Sequence, residues 1–218
     1  MIKADVRKRI QDIGIVPVIR ASSPAEARFA AEAIWHGGIS IAEITMTVPG
    51  AIEVISELAR TTPEVLVGAG TVLNPEAARR CLDAGAQFLV TPGLSLKTIE
   101  LAAKEDVPIM VGALTPTEVI TAWEAGADFV KVFPCSQVGG ASYIRALKGP
   151  LPDIPLVPTG GVNLDTAADF LAAGAVALGV GSELLQKEAL RTRNAEALRT
   201  LAGKFAAIVK SMRQQQLA

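Results

Sequence analysis

The chain has 218 residues, 50% of them hydrophobic, and a formal net charge of −1. That is enough apolar material for one large core, so residues 1–218 are expected to form a single domain with 1–13 as an N-terminal helical extension. Without a basic tract, a Cys/His cluster, a signal-peptide-like apolar start or a membrane-length stretch, the composition argues against nucleic-acid and membrane partners, a metal site or a disulfide framework, and for a cytoplasmic protein.

Taken in order, residues 2–12 mix charged and apolar side chains at helical spacing, with Ile2, Val6, Arg9, Ile10 and Ile13 as the expected packing stripe. Ile15–Arg20 reads as the first strand, and Ser22-Ser23-Pro24 starts a helix that Gly37-Gly38 stops. A second strand, Ile41–Thr45, carries a glutamate at 43. Pro49-Gly50 then introduces a helix over 51–60, and Val65–Ala69 delivers Gly70 and Thr71 to a loop before Asn74-Pro75-Glu76. Helix-like runs end at Ala84-Gly85-Ala86, Ala125-Gly126-Ala127 and Ala173-Gly174-Ala175, each followed at once by an apolar strand. Glycine is the residue expected where a helix ends in a left-handed conformation. Between these fit strands over 107–111, 127–134 and 156–158 and a helix start at Thr115-Pro116-Thr117-Glu118.

Eight strand–helix units with apolar strands, after one extra helix, predict an α/β fold: a closed parallel (β/α)8 TIM barrel with an added N-terminal helix. A doubly wound open sheet would carry a glycine-rich turn after its first strand, where Arg20-Ala21-Ser22 stands instead. The glycine pairs, Gly160-Gly161 and Gly179 with Gly181, follow the seventh and eighth strands, where such barrels often hold a phosphate.

Polar residues at strand ends then converge on one mouth: Arg20, Glu43, Thr45, Thr71, Thr91, Lys131, Thr159 and Ser182. Lys131, inside Phe-Val-Lys-Val-Phe, stands where a core residue is expected. A lysine withdrawn from water favours the neutral amine, the form that attacks a carbonyl. The duller readings are a lysine reaching out from a strand end, a Glu43–Arg20 structural pair, threonine helix caps, and glycines serving only in turns. Cys135 reads as a bystander. An acid, an amine and an arginine in one mouth together form a carbonyl-chemistry constellation.

Five segments also carry a resemblance: Glu-Ile-Thr at 43–45, Gly-Ala-Gly-Thr-Val-Leu at 68–73, Thr-Pro-Gly at 91–93, Phe-Val-Lys-Val-Phe-Pro at 129–134 and Pro-Thr-Gly-Gly-Val at 158–162. In this order, over nearly the whole chain, they resemble the class I 2-keto-3-deoxy-6-phosphogluconate (KDPG) and 4-hydroxy-2-oxoglutarate aldolase family. The resemblance implies Schiff-base chemistry at Lys131, proton transfer by Glu43, a pyruvyl contact from Thr71, no cofactor, and a homotrimer. Its substrates would be a phosphorylated 2-keto-3-deoxy sugar acid and pyruvate.

Arg20 and Thr71 are expected at the substrate carboxylate, with Thr45 and Phe133 shaping the wall, and Thr91 and Thr159 are further candidate substrate-binding residues. The backbone N–H groups of Gly160, Gly161, Gly181 and Ser182, helped by the start of the next helix, are expected at the phosphate. Thr47 occupies the place of an arginine found in some family members. Phe133, Trp123 and Tyr143 are expected at a subunit interface. The competing readings are an aldolase preferring the galactonate epimer or an unphosphorylated 2-keto acid, and a sugar-phosphate isomerase or binding barrel.

Overall fold

A computed structural model describes residues 1–217. Helix α1 (Lys3–Ile13) buries Val6 and Ile10 and ends at Gly14, whose φ of 68° turns the chain directly into strand β1 (Ile15–Ile19). Ile2, expected in the packing stripe, lies ahead of the helix and is 65% exposed. Arg9 instead reaches the carbonyls of Ser40 and Glu64.

The alternation then runs α2 (Pro24–His36), β2 (Ile41–Thr45), α3 (Ala51–Thr61), β3 (Leu66–Gly70), α4 (Pro75–Asp83), β4 (Leu89–Val90) and α5 (Leu96–Lys104). It continues through β5 (Ile109–Ala113), α6 (Pro116–Glu124), β6 (Phe129–Val132), α7 (Ala141–Lys148), β7 (Leu156–Pro158), α8 (Ala167–Ala172) and β8 (Leu178–Val180), and ends in α9 (Lys187–Arg191) and α10 (Ala195–Leu217). Several starts follow from local chemistry: the side chains of Ser23 and Asn74 accept from the amides of Glu26 and Ala77, and Thr115 with Glu118 forms a reciprocal capping box. The three Ala-Gly-Ala stops hold their glycines at φ near 100°, as the sequence predicts.

All eight strands are parallel. Neighbours follow chain order from β1 to β7, β8 lies beside β1, and a bridge between Thr159 and Gly179 joins the two remaining edges. This is the (β/α)8 barrel expected from the alternation, and its strands are buried along their whole length. No helix among the described residues is long and apolar enough to cross a membrane.

Strands β1 and β3 differ from the sequence reading by one residue at their ends, and β5 and β6 by more. Strand β5 begins at Ile109 rather than Val107, because the amide of Val107 closes the end of α5 on Ala102 and Asp106 takes a left-handed φ of 52°. An aspartate makes that stop where the units ending at Gly85, Gly126 and Gly174 use glycine. Strand β6 is shorter than 127–134. Its lead residue Asp128 is buried, accepts the Ile109 amide at 2.9 Å, and meets Lys3 Nζ at 3.0 Å and Arg7 Nε at 3.4 Å. The buried carboxylate thereby latches α1 across the closed end of the barrel. At the other terminus α10 packs on α2 and α8, and Arg213 donates to the carbonyls of Gln11 and Asp12 at the end of α1.

Candidate active site

Lys131 is the third residue of β6 and is only 3% exposed. In register it lies beside Gly112 of β5 and Val157 of β7. The glycine leaves space: a Cβ at 112 would stand 2.2 Å from the carbonyl carbon of Pro92, so the loop after β4 folds inward beside the lysine. The Gly112 amide donates to Thr91 Oγ1 at 3.1 Å, and that hydroxyl donates to the Gly93 carbonyl at 2.7 Å. Thr91 is therefore a buried clamp on the loop, with its proton already engaged. Lys131 Nζ lies 5.3 Å from the centroid of the Phe133 ring, within cation–π range.

Glu43, in the middle of β2, is 1% exposed, and its Oε1 has no hydrogen-bond partner. Burial pushes its carboxyl above the usual range, opposed by the positive fields of Lys131 and then Arg20. The side chain rises into the space left by Gly70 at the end of β3, where an added Cβ would come within 1.9 Å of Oε1. Thr45, two residues on, donates to the Ile19 carbonyl at 3.0 Å and shares its hydroxyl with Thr47 at 2.8 Å. It thus ties β2 to β1 and positions the Thr47 side chain. Thr71 follows Gly70 at a φ of 57°, an uncommon conformation for a β-branched residue, and is half-buried at the mouth.

On the β1–β7–β8 side the mouth opens into a narrow cleft lined by Val18, Arg20, Phe133, Thr159, Gly160, Gly161, Gly181, Ser182 and Glu183. Thr159 is 6% exposed, and its Oγ1 has no partner. It projects over Gly179, where a Cβ would sit 2.0 Å from the hydroxyl. Gly160 and Gly161 have φ of 92° and 78°, and Ser136 packs against Gly161 so closely that a Cβ there would fall 2.3 Å from its own.

Arg20, expected at the carboxylate end, shares this cleft with the glycine pairs while still reaching Glu43 through its field. The expected helix start is also absent at Gly160-Gly161: α8 begins only at Ala167, because Thr166 and Asn163 fold the intervening loop on itself. After β8 a single turn carries the amides of Leu184 and Leu185 to the Gly181 carbonyl. The cleft's donors are loop amides rather than the end of a long helix.

Lys131 and Glu43 thus face one barrel interior, and the glycine cleft lies alongside. A wider groove of about 570 Å³ runs on the outer flank between α3 and α4, past Glu53, Arg60, Arg80 and Asp83, but it contains none of these groups. Cys135 is buried and its thiol is pushed up to about 11, so it is no thiolate nucleophile. The motif reading omitted Gly112 and Glu183. Only the position of Glu183, directly after Gly-Val-Gly-Ser, could have signalled the last of them.

The family model "KDPG and KHG aldolase" matches residues 6–201. A 2-dehydro-3-deoxy-phosphogluconate aldolase of Haemophilus influenzae is 32% identical over 203 residues, 93% of this chain and 96% of its own. A KHG/KDPG aldolase of Escherichia coli K12 is 33% identical over 86% of this chain and 88% of its own. Among solved structures, the KDPG aldolase of Legionella pneumophila, with pyruvate captured as a covalent carbinolamine, superposes with a TM-score of 0.85 at 29% identity. The match spans 91% of this chain and 96% of that one. With its eight-stranded parallel barrel and this match along nearly all its length, the chain belongs to the KDPG and KHG aldolases, the Schiff-base enzymes of class I.

Proposed function

We propose that this aldolase cleaves 2-keto-3-deoxy-6-phosphogluconate to pyruvate and glyceraldehyde 3-phosphate, and 4-hydroxy-2-oxoglutarate more weakly. The observation that carries the reading is the buried Lys131 facing the same interior as Glu43, whose Oε1 has no partner. The neutral amine of Lys131 adds to the C2 carbonyl, and loss of water leaves a protonated imine. Glu43 takes the C4 hydroxyl proton, the C3–C4 bond breaks, and its electrons move into the imine to give an enamine while the aldehyde departs. Glu43 then returns a proton to C3, and hydrolysis frees pyruvate and the amine. A carboxyl held above its usual range is suited to both transfers, because it is a stronger base when ionised and gives up its proton at higher pH.

Thr71 and the loop behind Thr91 hold the pyruvyl end, with Phe133 as the wall beside the lysine. Loop amides at Gly160, Gly161, Gly181 and Ser182, with Arg20 and Thr159, receive the phosphate. Gly70→Ala should lower kcat by about 10²-fold, since the new methyl occupies the place of Glu43 Oε1 and displaces the carboxylate by an ångström or more. Pyruvate trapping should survive that change, which separates it from general unfolding.

Substrate choice is tested by kcat/KM for the phosphorylated gluconate and galactonate epimers and for 4-hydroxy-2-oxoglutarate. The gluconate compound should rank ahead of its epimer, an order that rests on the family resemblance alone, and 4-hydroxy-2-oxoglutarate should rank below the phosphorylated substrate because it leaves the cleft empty. A higher value for 4-hydroxy-2-oxoglutarate than for either phosphorylated compound contradicts the reading.

We further propose that residues 1–218 act as one domain, in the cytoplasm, as a homotrimer. Tyr143, expected at the interface, has its hydroxyl on the Leu114 carbonyl at 2.5 Å, and Phe133 lines the cleft, which leaves Trp123 of the three expected aromatics. Exposed Leu73, Leu94, Leu96 and Ile120 lie with Trp123 on three consecutive units of the barrel, an apolar side suited to a second copy. Sedimentation equilibrium giving the mass of one chain at all concentrations would overturn the trimer.

A further inference from the structure

We propose that Glu183 sets how strongly this aldolase prefers a phosphorylated substrate, by holding a negative charge at the tail end of the cleft. The proposal rests on the reading of that cleft as the site of the substrate's terminal group. Two charged side chains line the cleft, Arg20 and Glu183, and both are exposed. Neither makes a salt bridge with any described residue, so both charges at this cleft are without a protein counter-ion. The same cleft is lined by Thr159, whose hydroxyl has no partner, and by the loops at Gly160 and Gly181.

Arginine, hydroxyl and amides all donate to an anion, and the carboxylate of Glu183 alone works against one. A tail phosphate therefore meets a cleft whose side-chain charges sum to zero, and its binding depends on directed hydrogen bonds more than on net attraction. An uncharged hydroxyl tail loses the arginine's charge but gains an acceptor in Glu183. The carboxylate thus narrows the gap between phosphorylated and unphosphorylated 2-keto acids, and it also weakens retention of the phosphorylated aldehyde after cleavage.

The test compares wild type, Glu183→Gln and Glu183→Lys, using a 2-keto-3-deoxy-6-phospho sugar acid and its unphosphorylated counterpart. The ratio of their kcat/KM values should rise roughly two- to fivefold for Glu183→Gln, the scale of one exposed charge pair, and further for Glu183→Lys. Both increments should shrink as salt is raised. The inhibition constant of inorganic phosphate should fall in the same order. A ratio that stays level or drops across the series, or that ignores ionic strength, overturns the proposal. Borohydride trapping of pyruvate by the same three proteins reports on the imine chemistry separately, so loss of trapping identifies failure of the aldolase site itself.

Discussion

Lys131→Ala should reduce cleavage to the uncatalysed background and at the same time abolish covalent capture of pyruvate. No other described lysine shares this setting: Lys3 pairs with Asp128 at the closed end of the barrel, and Lys148, the last residue of α7, donates to the carbonyls of Pro152 and Ile154 in the loop before β7. Among the described residues, Lys131 is the only buried lysine. Truncating it leaves a small apolar site next to Phe133 and Gly112, so the fold should hold, with near-native circular dichroism. Lys131→Arg keeps the charge but has no free electron pair on a neutral amine to attack a carbonyl, and should be equally inactive. Residual turnover within tenfold of wild type in either variant would remove Lys131 from the chemistry.

Glu43→Gln has the second largest expected effect and acts on a different step. The amide fills the same space below Gly70 but cannot accept the C4 hydroxyl proton or return one to C3. Cleavage and deuterium exchange into pyruvate should both slow by roughly 10²–10⁴-fold, while imine trapping at Lys131 persists. Stability should move the other way. Burial raises the carboxyl pKa in the folded state above its value of 4.5 in the open chain, so the folded protein binds the proton more tightly than the unfolded one. The stability that this group contributes is present in full below pH 4.5 and is lost as pH climbs through the raised value. Glutamine has no such loss, so Glu43→Gln should show a higher Tm than wild type at pH 7–8 and a vanishing difference toward pH 4. An equal Tm across the whole range would mean that Glu43 is better solvated than its burial indicates.

The barrel was legible because its punctuation is local. The Ala-Gly-Ala stops and the Ser23, Asn74 and Thr115 caps are short-range chemistry: the stops mark where β4, β6 and β8 must begin, and the caps mark where α2, α4 and α6 follow β1, β3 and β5. The displaced start of β5 shows the limit: the left-handed stop at Asp106 has no glycine to announce it. Lys131 and Glu43 stood out because a charge in an apolar strand is conspicuous in one dimension. What Thr45 and Thr91 do was not readable, since their partners, the Ile19 carbonyl and the Gly112 amide, are main-chain atoms on neighbouring strands. The same holds for Arg20. Its sequence neighbours suggest a strand end, and only barrel closure through Thr159 and Gly179 brings it into one cleft with the glycine pairs.

The central claim is that one buried amine, on the third residue of β6, becomes covalently bonded to the keto acid. It is tested most directly by incubating the protein with pyruvate and borohydride, digesting it, and locating the added mass by sequencing fragments. The account predicts a single reduced adduct on the peptide containing Lys131, with none in Lys131→Ala and an undiminished yield in Glu43→Gln. An adduct on another lysine, or none at all in a protein that still cleaves its substrate, would contradict it.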